Sequence, residues 1–345
     1  MLKQNLLLVI IILGFYNVKA QDIHTTQIQQ HDYLYNPGLI GNFKGTLRMN
    51  LSSRSQWSGI NKAFQTYSFS ADGSFFGNKW KSGSLGIGLS ANSDNAGNGY
   101  LKSNAVNLGL TGVVNLNSKN TLSLGVLSSF NQSSINPELI RWGTQFDGSS
   151  YDSNLPSFEN FGRNQFSYFD FSTGLVWSFS KKERRIASYD ETRFQIGLAA
   201  YHLTTPNLYN GIQQDELYMR YVFYGKGFFG LSQSNMALVP NLLVQVQGPN
   251  TEIIGGTYLR IRIKEASKVT GVIKESAFSF GANYRYGDAI SPGLLFELSN
   301  YAVGLSYDIN VSKLTPATNM RGGFEVTLRF LNPSPFLYKS YKPSL

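Results

Sequence analysis

The chain has three histidines, His24, His31 and His202, and no cysteine, so its scope for metal or nucleophilic chemistry is narrow from the start. A zinc or iron site needs imidazole, thiolate or carboxylate ligands at short, fixed spacings such as His-Glu-x-x-His. Two of the histidines lie close to the N-terminus and the third far down the chain, so no metal site is expected, and neither a thiolate site nor a disulfide can form. His202, beside Thr204 and Thr205, is the only candidate base for a Ser-His-acid hydrolase. No Gly-x-Ser-x-Gly elbow, phosphate-binding loop or dinucleotide fingerprint occurs in the strand-to-helix setting those chemistries require. The chain is therefore expected to be non-catalytic and to use no cofactor.

The elements that would position any site come next. Met1-Leu2-Lys3 leads into an apolar run from Leu6 to Phe15, with small residues at Val18 and Ala20. That is the pattern of an export signal cleaved after Ala20, since the run is about half the roughly 20 residues a spanning helix needs. No later stretch is long and apolar enough for a transmembrane helix. Charged residues are 15% and aromatics 14%, with 34 glycines, a mixture that suits a lipid-facing sheet better than a soluble helical protein. The net charge of +9 is mild at this length. No run of Lys and Arg interleaves with stacking aromatics, so nucleic acid is not an expected partner. The basic run Lys181-Lys182-Glu183-Arg184-Arg185 reads as a solvated turn.

Period-two alternation dominates the mature chain, and a strand sends successive side chains to opposite faces. Leu47, Met49 and Leu51 alternate with Arg48, Asn50 and Ser52; Leu122, Leu124 and Val126 alternate with Ser123 and Gly125; Tyr301, Val303, Leu305, Tyr307 and Ile309 alternate with small or polar residues. Runs of this kind extend from Lys44 to Leu331 and number about fourteen, among them Lys44 to Trp57, Asn164 to Ser180 and Gly323 to Leu331. An even count returns both chain ends to one side of a membrane. The competing class, a soluble β-sandwich, has strands of about five to six residues, whereas these reach the nine to eleven that cross a bilayer at a tilt. Aromatics gather at strand ends, as at Tyr284, Tyr286, Tyr301 and Phe330, where interfacial girdles form. Hydrocarbon offers no partner to a free strand edge, so the sheet must close. The expected fold is all-β, a transmembrane antiparallel β-barrel of about 14 strands in a bacterial outer membrane. The expected divisions are a signal peptide (1–20), a periplasmic N-terminal segment (21–43), the barrel (44–331) and a periplasmic tail (332–345).

With the chain starting in the periplasm, the long connection Gln132 to Arg163 faces the exterior. It is rich in Ser, Asn, Asp and Gly and carries Trp142, Tyr151 and Phe158, a composition fit for a folded surface loop that binds a partner. Alternation points Arg48, Arg193, Arg260, Arg262 and Arg285 into the lumen against Asp170 and Asp308, so an open lumen would favour anions. Barrels of this size are plugged by loops or an N-terminal segment in some cases and open in others.

Three stretches carry a family resemblance. His31-Asp32-Tyr33-Leu34-Tyr35-Asn36-Pro37-Gly38, then Arg54-Ser55-Gln56-Trp57-Ser58-Gly59, then Phe64 through Asp72 with Thr66 inside it, resemble the opening of the PorP/SprF proteins of the type IX secretion system. Gly38 stands where the family has Ala, and Asn61-Lys62-Ala63 where Gly-Ala-Pro is common. The resemblance implies a non-catalytic outer-membrane component that works with secretion components. It also implies support for export or surface attachment of one cognate secreted protein of gliding-motility or adhesin type. The alternative is a passive or substrate-selective channel. Asn36, Pro37, Arg54, Gln56 and Trp57 become candidate binding residues through the motif. In physical terms Asn36-Pro37 initiates a turn before the first strand, and Arg54 with Trp57 would pair a cation with an aromatic at the outer rim.

Overall fold

A computed structural model of the protein describes residues 24–56, 64–77, 80, 82–97, 101–158, 164–181, 191–209, 214–265, 275–312, 315 and 320–332. The expected signal peptide, Trp57, the Lys182–Arg185 run and the tail beyond Asn332 lie outside the described residues. Sixteen strands follow in chain order: β1 (Leu47–Gln56), β2 (Phe64–Phe75), β3 (Gly83–Ala96), β4 (Leu101–Asn115), β5 (Asn120–Ile135), β6 (Gln165–Lys181), β7 (Thr192–Tyr201), β8 (Asn207–Tyr209), β9 (Gln214–Glu216), β10 (Arg220–Gly230), β11 (Met236–Gln247), β12 (Asn250–Lys264), β13 (Ser276–Arg285), β14 (Ala289–Leu298), β15 (Tyr301–Asn310) and β16 (Arg321–Asn332).

Fourteen of these close into one antiparallel barrel, with β1 hydrogen-bonded to both β2 and β16. The seam is complete, since Leu47 pairs with Asn332 at one end of β1 and Gln56 with Gly323 at the other. Closure is what the bilayer demands, because it leaves no strand edge in hydrocarbon. The two short strands β8 and β9 pair only with each other, a hairpin in the β7-to-β10 connection that alternation does not signal. No described helix is long and apolar enough to cross a membrane, and the strands do the crossing instead.

Alternation decides which face each side chain takes. Along β4 exposed and buried positions alternate through Val106–Val113, and Leu108, Leu110 and Val114 join Leu124, Val126 and Leu198 in a continuous apolar outer surface. An exposed apolar surface of this extent is incompatible with water and suited to lipid. The other face carries Ser90, Asn107, Thr111, Ser123, Asn241, Asn283 and Ser291, all buried in the lumen. Pro240 and Pro292 lack the N–H a ladder needs. Each sits where pairing to one neighbour skips: between Lys226–Asn241 and Phe229–Leu238 on one side, and between Ile290–Ile309 and Gly293–Ser306 on the other.

The ends of the barrel differ. The β4–β5, β10–β11 and β14–β15 connections are tight turns on the end where β1 begins, whereas the β5–β6 connection spans residues 136–164 on the other. Short periplasmic turns and long exterior loops are the rule for these barrels, so the end that carries the long loop is the one expected to face outward. Residues 24–43, the described part of the expected N-terminal segment, lie within the barrel, most of them buried in its lumen, before the chain reaches β1. The physical reason is packing: a 14-strand cylinder is too wide for its own side chains to fill, and Ile28, Tyr33, Tyr35, Leu39 and Ile40 form one buried cluster with Leu127, Val176, Tyr224 and Leu243 of the wall.

Candidate functional sites in the lumen and on the outer loop

The lumen segment is built from three short turns, Ile28–Gln30, Asp32–Tyr35 and Pro37–Leu39. The last begins as the sequence suggests: the Asn36 side chain accepts a hydrogen bond from the Gly38 amide (2.8 Å) and Pro37 occupies the first position. Its place differs from the expectation. Asn36 is completely buried mid-barrel, and its side-chain amide donates to the carbonyls of Leu175 (3.2 Å) on β6 and Leu198 (3.1 Å) on β7. Thr111 and Ser123 donate to the carbonyls of Pro37 and Gly38, each at 2.7 Å. The wall here is glycine, because a Cβ at Gly125 or Gly174 would strike Pro37 or Asn36 within 3 Å. The Asn36-Pro37 motif is therefore a wedge that seats the plug.

Two charged anchors flank the wedge. In the first, Asp32 takes Arg48 Nη1 (2.9 Å), the Tyr224 hydroxyl (2.8 Å) and Lys226 Nζ (3.0 Å), while Arg48 also grips Asp72 through Nε and Nη2 at 2.9 Å each. Burial alone would raise the Asp32 carboxyl, but Lys226 and Arg48 outweigh the desolvation and hold it at about 2. In the second, Glu325 on β16 accepts the Thr26 amide (2.6 Å), the Gln27 amide (3.4 Å) and His31 Nε2 (3.2 Å), all from the plug. Asp308 on β15 takes the Thr26 hydroxyl (2.9 Å), the Ser291 hydroxyl (2.7 Å) and Arg54 Nη2 (2.8 Å).

Arg54 is thus not a rim cation. It is buried in the lumen, donating to Asp308 and to the His24 carbonyl. Its even number on β1 puts it on the same face as Arg48 and Asn50, so the strand's own alternation excludes the lipid-facing rim. Gln56, at the end of β1, borders an outer cavity of about 540 Å³ shared with His24, Arg220, Glu252 and Arg285. Trp57, the aromatic expected to pair with Arg54, lies outside the described residues. The lumen is also less cationic than the arginine count suggests. Asp32, Asp72, Glu252, Glu297 and Glu325 pair with the inward cations; counting charge on only some of the strands misses them.

His202 pairs with Asp170 at 2.7 Å, and the Thr204 hydroxyl donates to the other carboxylate oxygen, also at 2.7 Å. The hydroxyl is directed at the acid and not at the imidazole, the reverse of what a nucleophile-base pair requires. These bonds fasten the β7–β10 connection to β6. Among the described residues no group of three or more His, Asp or Glu could hold a metal ion.

The exterior loop is folded. Short turns at Pro137–Leu139 and Gly143–Gln145 and a bridge between Phe146 and Tyr151 shape it. Gln145 is buried at its centre, accepting from the Trp142 amide (3.2 Å) and the Tyr151 hydroxyl (3.3 Å), while Arg141 stacks over the Tyr151 ring at 4.9 Å. Trp142 and Tyr151 are half-buried supports, and Phe158 is 83% exposed, with Phe146 at 56% and Leu139 at 53%. Of the three aromatics singled out from sequence, only Phe158 is presented openly, and Phe146 and Leu139 are presented without having been named.

No curated protein matches the sequence. Among solved structures, the chain is similar to the CymD monoaromatic hydrocarbon channel (8% identity, 90% of this chain and 94% of that chain, TM-score 0.46). It is also similar to BamA from Haemophilus ducreyi lacking POTRA domains 1–3 (12%, 83% and 70%, 0.42) and to Pseudomonas putida OprB at low pH (8%, 83% and 92%, 0.36). At these scores none of the three informs function. The family model for the type IX secretion system membrane protein PorP/SprF matches residues 17–330 of the 345. A match over nearly the whole sequence shows that this chain belongs to the PorP/SprF family, outer-membrane β-barrels of the type IX secretion system.

Proposed function

We propose that this barrel is a non-catalytic secretion component that supports export or cell-surface attachment of one cognate secreted protein, engaging it from outside through the 136–158 loop. The observation that carries this reading is the plug. The lumen is occupied by the chain's own segment, wedged at Asn36 and anchored at Asp32 and Glu325, so neither a solute stream nor a polypeptide has a free path through it. A barrel that is not a conduit has its outer surface left for function, and the folded loop exposes the apolar side chains of Leu139, Phe146 and Phe158.

The test combines a planar bilayer with affinity capture. The mature wild-type protein is expected to be electrically silent and to co-purify with a secreted surface protein. The triple variant Leu139→Ala, Phe146→Ala, Phe158→Ala is expected to insert normally and lose that protein. Steady ion conductance by the wild type, with no secreted protein captured, would instead support the channel reading.

A further inference from the structure

The plug leaves a second cavity of about 940 Å³ beneath it, open toward the short-turn, periplasmic end of the barrel. Its volume is at the upper end of the roughly 300–1,000 Å³ typical of ligand sites, and its wall mixes aromatic rings with charge. The charge is unbalanced: seven Lys and Arg line the cavity against four Asp and Glu. Asp32 is shared by Arg48 and Lys226, Glu191 by Lys44 and Arg193, and Glu297 by Arg260 and Arg329, while Arg48 also pairs with Asp72 and Arg260 with Glu275. Lys119 on the β4–β5 turn adds a further cation at the mouth, with no acidic partner among the described residues.

Arg193 is the most telling of these. Its contact to Glu191 is long, 3.8 Å, its guanidinium lies over the Phe228 ring at 4.4 Å, and its side chain remains 41% exposed. A guanidinium over a ring face can still offer N–H groups to a carboxylate. Low-dielectric walls focus the excess positive potential into the cavity.

We infer that this vestibule is a docking site for an acidic, aromatic-bearing polypeptide segment presented from the periplasm, with Arg193 and Lys119 receiving its carboxylates. A peptide fits better than a lipid, because the opening faces water at the turn end and not the hydrocarbon. The chain's own C-terminal tail carries Lys339 and Lys342 and no acidic side chain, so its charge is wrong for the site. The site is separate from the exterior loop: a triple loop variant that still captures the secreted protein, with peptide binding intact, would sink only the outer-loop reading.

The experiment uses the full mature protein in detergent and a dye-labelled peptide of eight Glu and two Phe, with a counterpart carrying Lys for Glu, read by fluorescence anisotropy. The acidic peptide is expected to bind and the basic one not, with affinity falling at least about tenfold between low and near-physiological salt. The variant Lys119→Gln, Arg193→Gln is expected to weaken binding about tenfold or more, while Lys102→Gln on the outer end of β4 changes nothing. Retained heat-modifiable gel mobility reports an intact barrel. Should the double variant fail to fold, the salt dependence and peptide charge selectivity of the wild type still decide. Equal binding of both peptides, no binding at low salt, or full displacement by equimolar inorganic phosphate would overturn the proposal.

Discussion

Removing the Glu325 carboxylate should release the outer half of the plug while leaving the barrel closed. Every hydrogen bond that carboxylate accepts comes from the plug, two from backbone amides and one from His31, whereas β16 pairs with its neighbours through its backbone. Charge-assisted bonds to the carboxylate are worth about 1.5–3 kcal/mol each. Discounting the long Gln27 contact, Glu325→Ala should shift the seated-to-released balance of residues 24–31 by about 4 kcal/mol, close to a thousandfold. Because the protein has no cysteine, the change can be read with a single introduced thiol. Ile28→Cys replaces a fully buried side chain that makes no hydrogen bond, and maleimide labelling of that thiol under native conditions should be slow in the parent and orders of magnitude faster with Glu325→Ala. The Asp32 anchor and the Asn36 wedge remain in that variant, so conductance should appear only when Asp32→Ala is added. Unchanged thiol labelling in a Glu325→Ala barrel of normal gel mobility would refute the two-anchor account.

Gly125→Val should unseat the plug without unzipping β5, because its side chain would occupy the space of Pro37; overpacking costs about 1–3 kcal/mol, and labelling of the same introduced thiol measures it. Asp32 gives the plug a defined acid limit. Its carboxyl, near about 2 when folded and 3.8 ordinarily, stabilises the seated state above about pH 4 and loses that contribution as pH falls toward 2. Exposure of the thiol, read by an acid-compatible disulfide reagent, should therefore rise over that window, and Asp32→Asn should flatten the rise. Leu124→Arg, on the lipid face of β5, should destabilise the inserted barrel by about 2–4 kcal/mol if it lies at the midplane, measured by reversible urea unfolding in a bilayer; no change would contradict the assigned face.

All fourteen barrel strands are legible from alternation, with bounds within a few residues, because burial against lipid on one face and a polar lumen on the other imposes period two directly on side-chain type. Arg54 shows how legible information is overlooked: its parity with Arg48 already places it inside, yet its nearness to Trp57 in the chain suggests a rim. The plug leaves a trace as well, in lumen-facing glycines such as Gly125 and Gly197, since a glycine within a strand marks close approach by another backbone. What approaches is not written there. The β8–β9 hairpin, with three residues a strand, is too short to establish any period.

Local sequence therefore determined the strands, their facing and the need for closure, because each follows from neighbours in the chain and the solvent around them. Only the tertiary structure decided that residues 24–42 fill the cylinder and that Glu325 and Asp308 hold them there. Those contacts join residues nearly 300 positions apart, with separations of 299 and 282, and no periodicity along the chain encodes which carboxylate will meet which amide once a sheet has curled into a barrel.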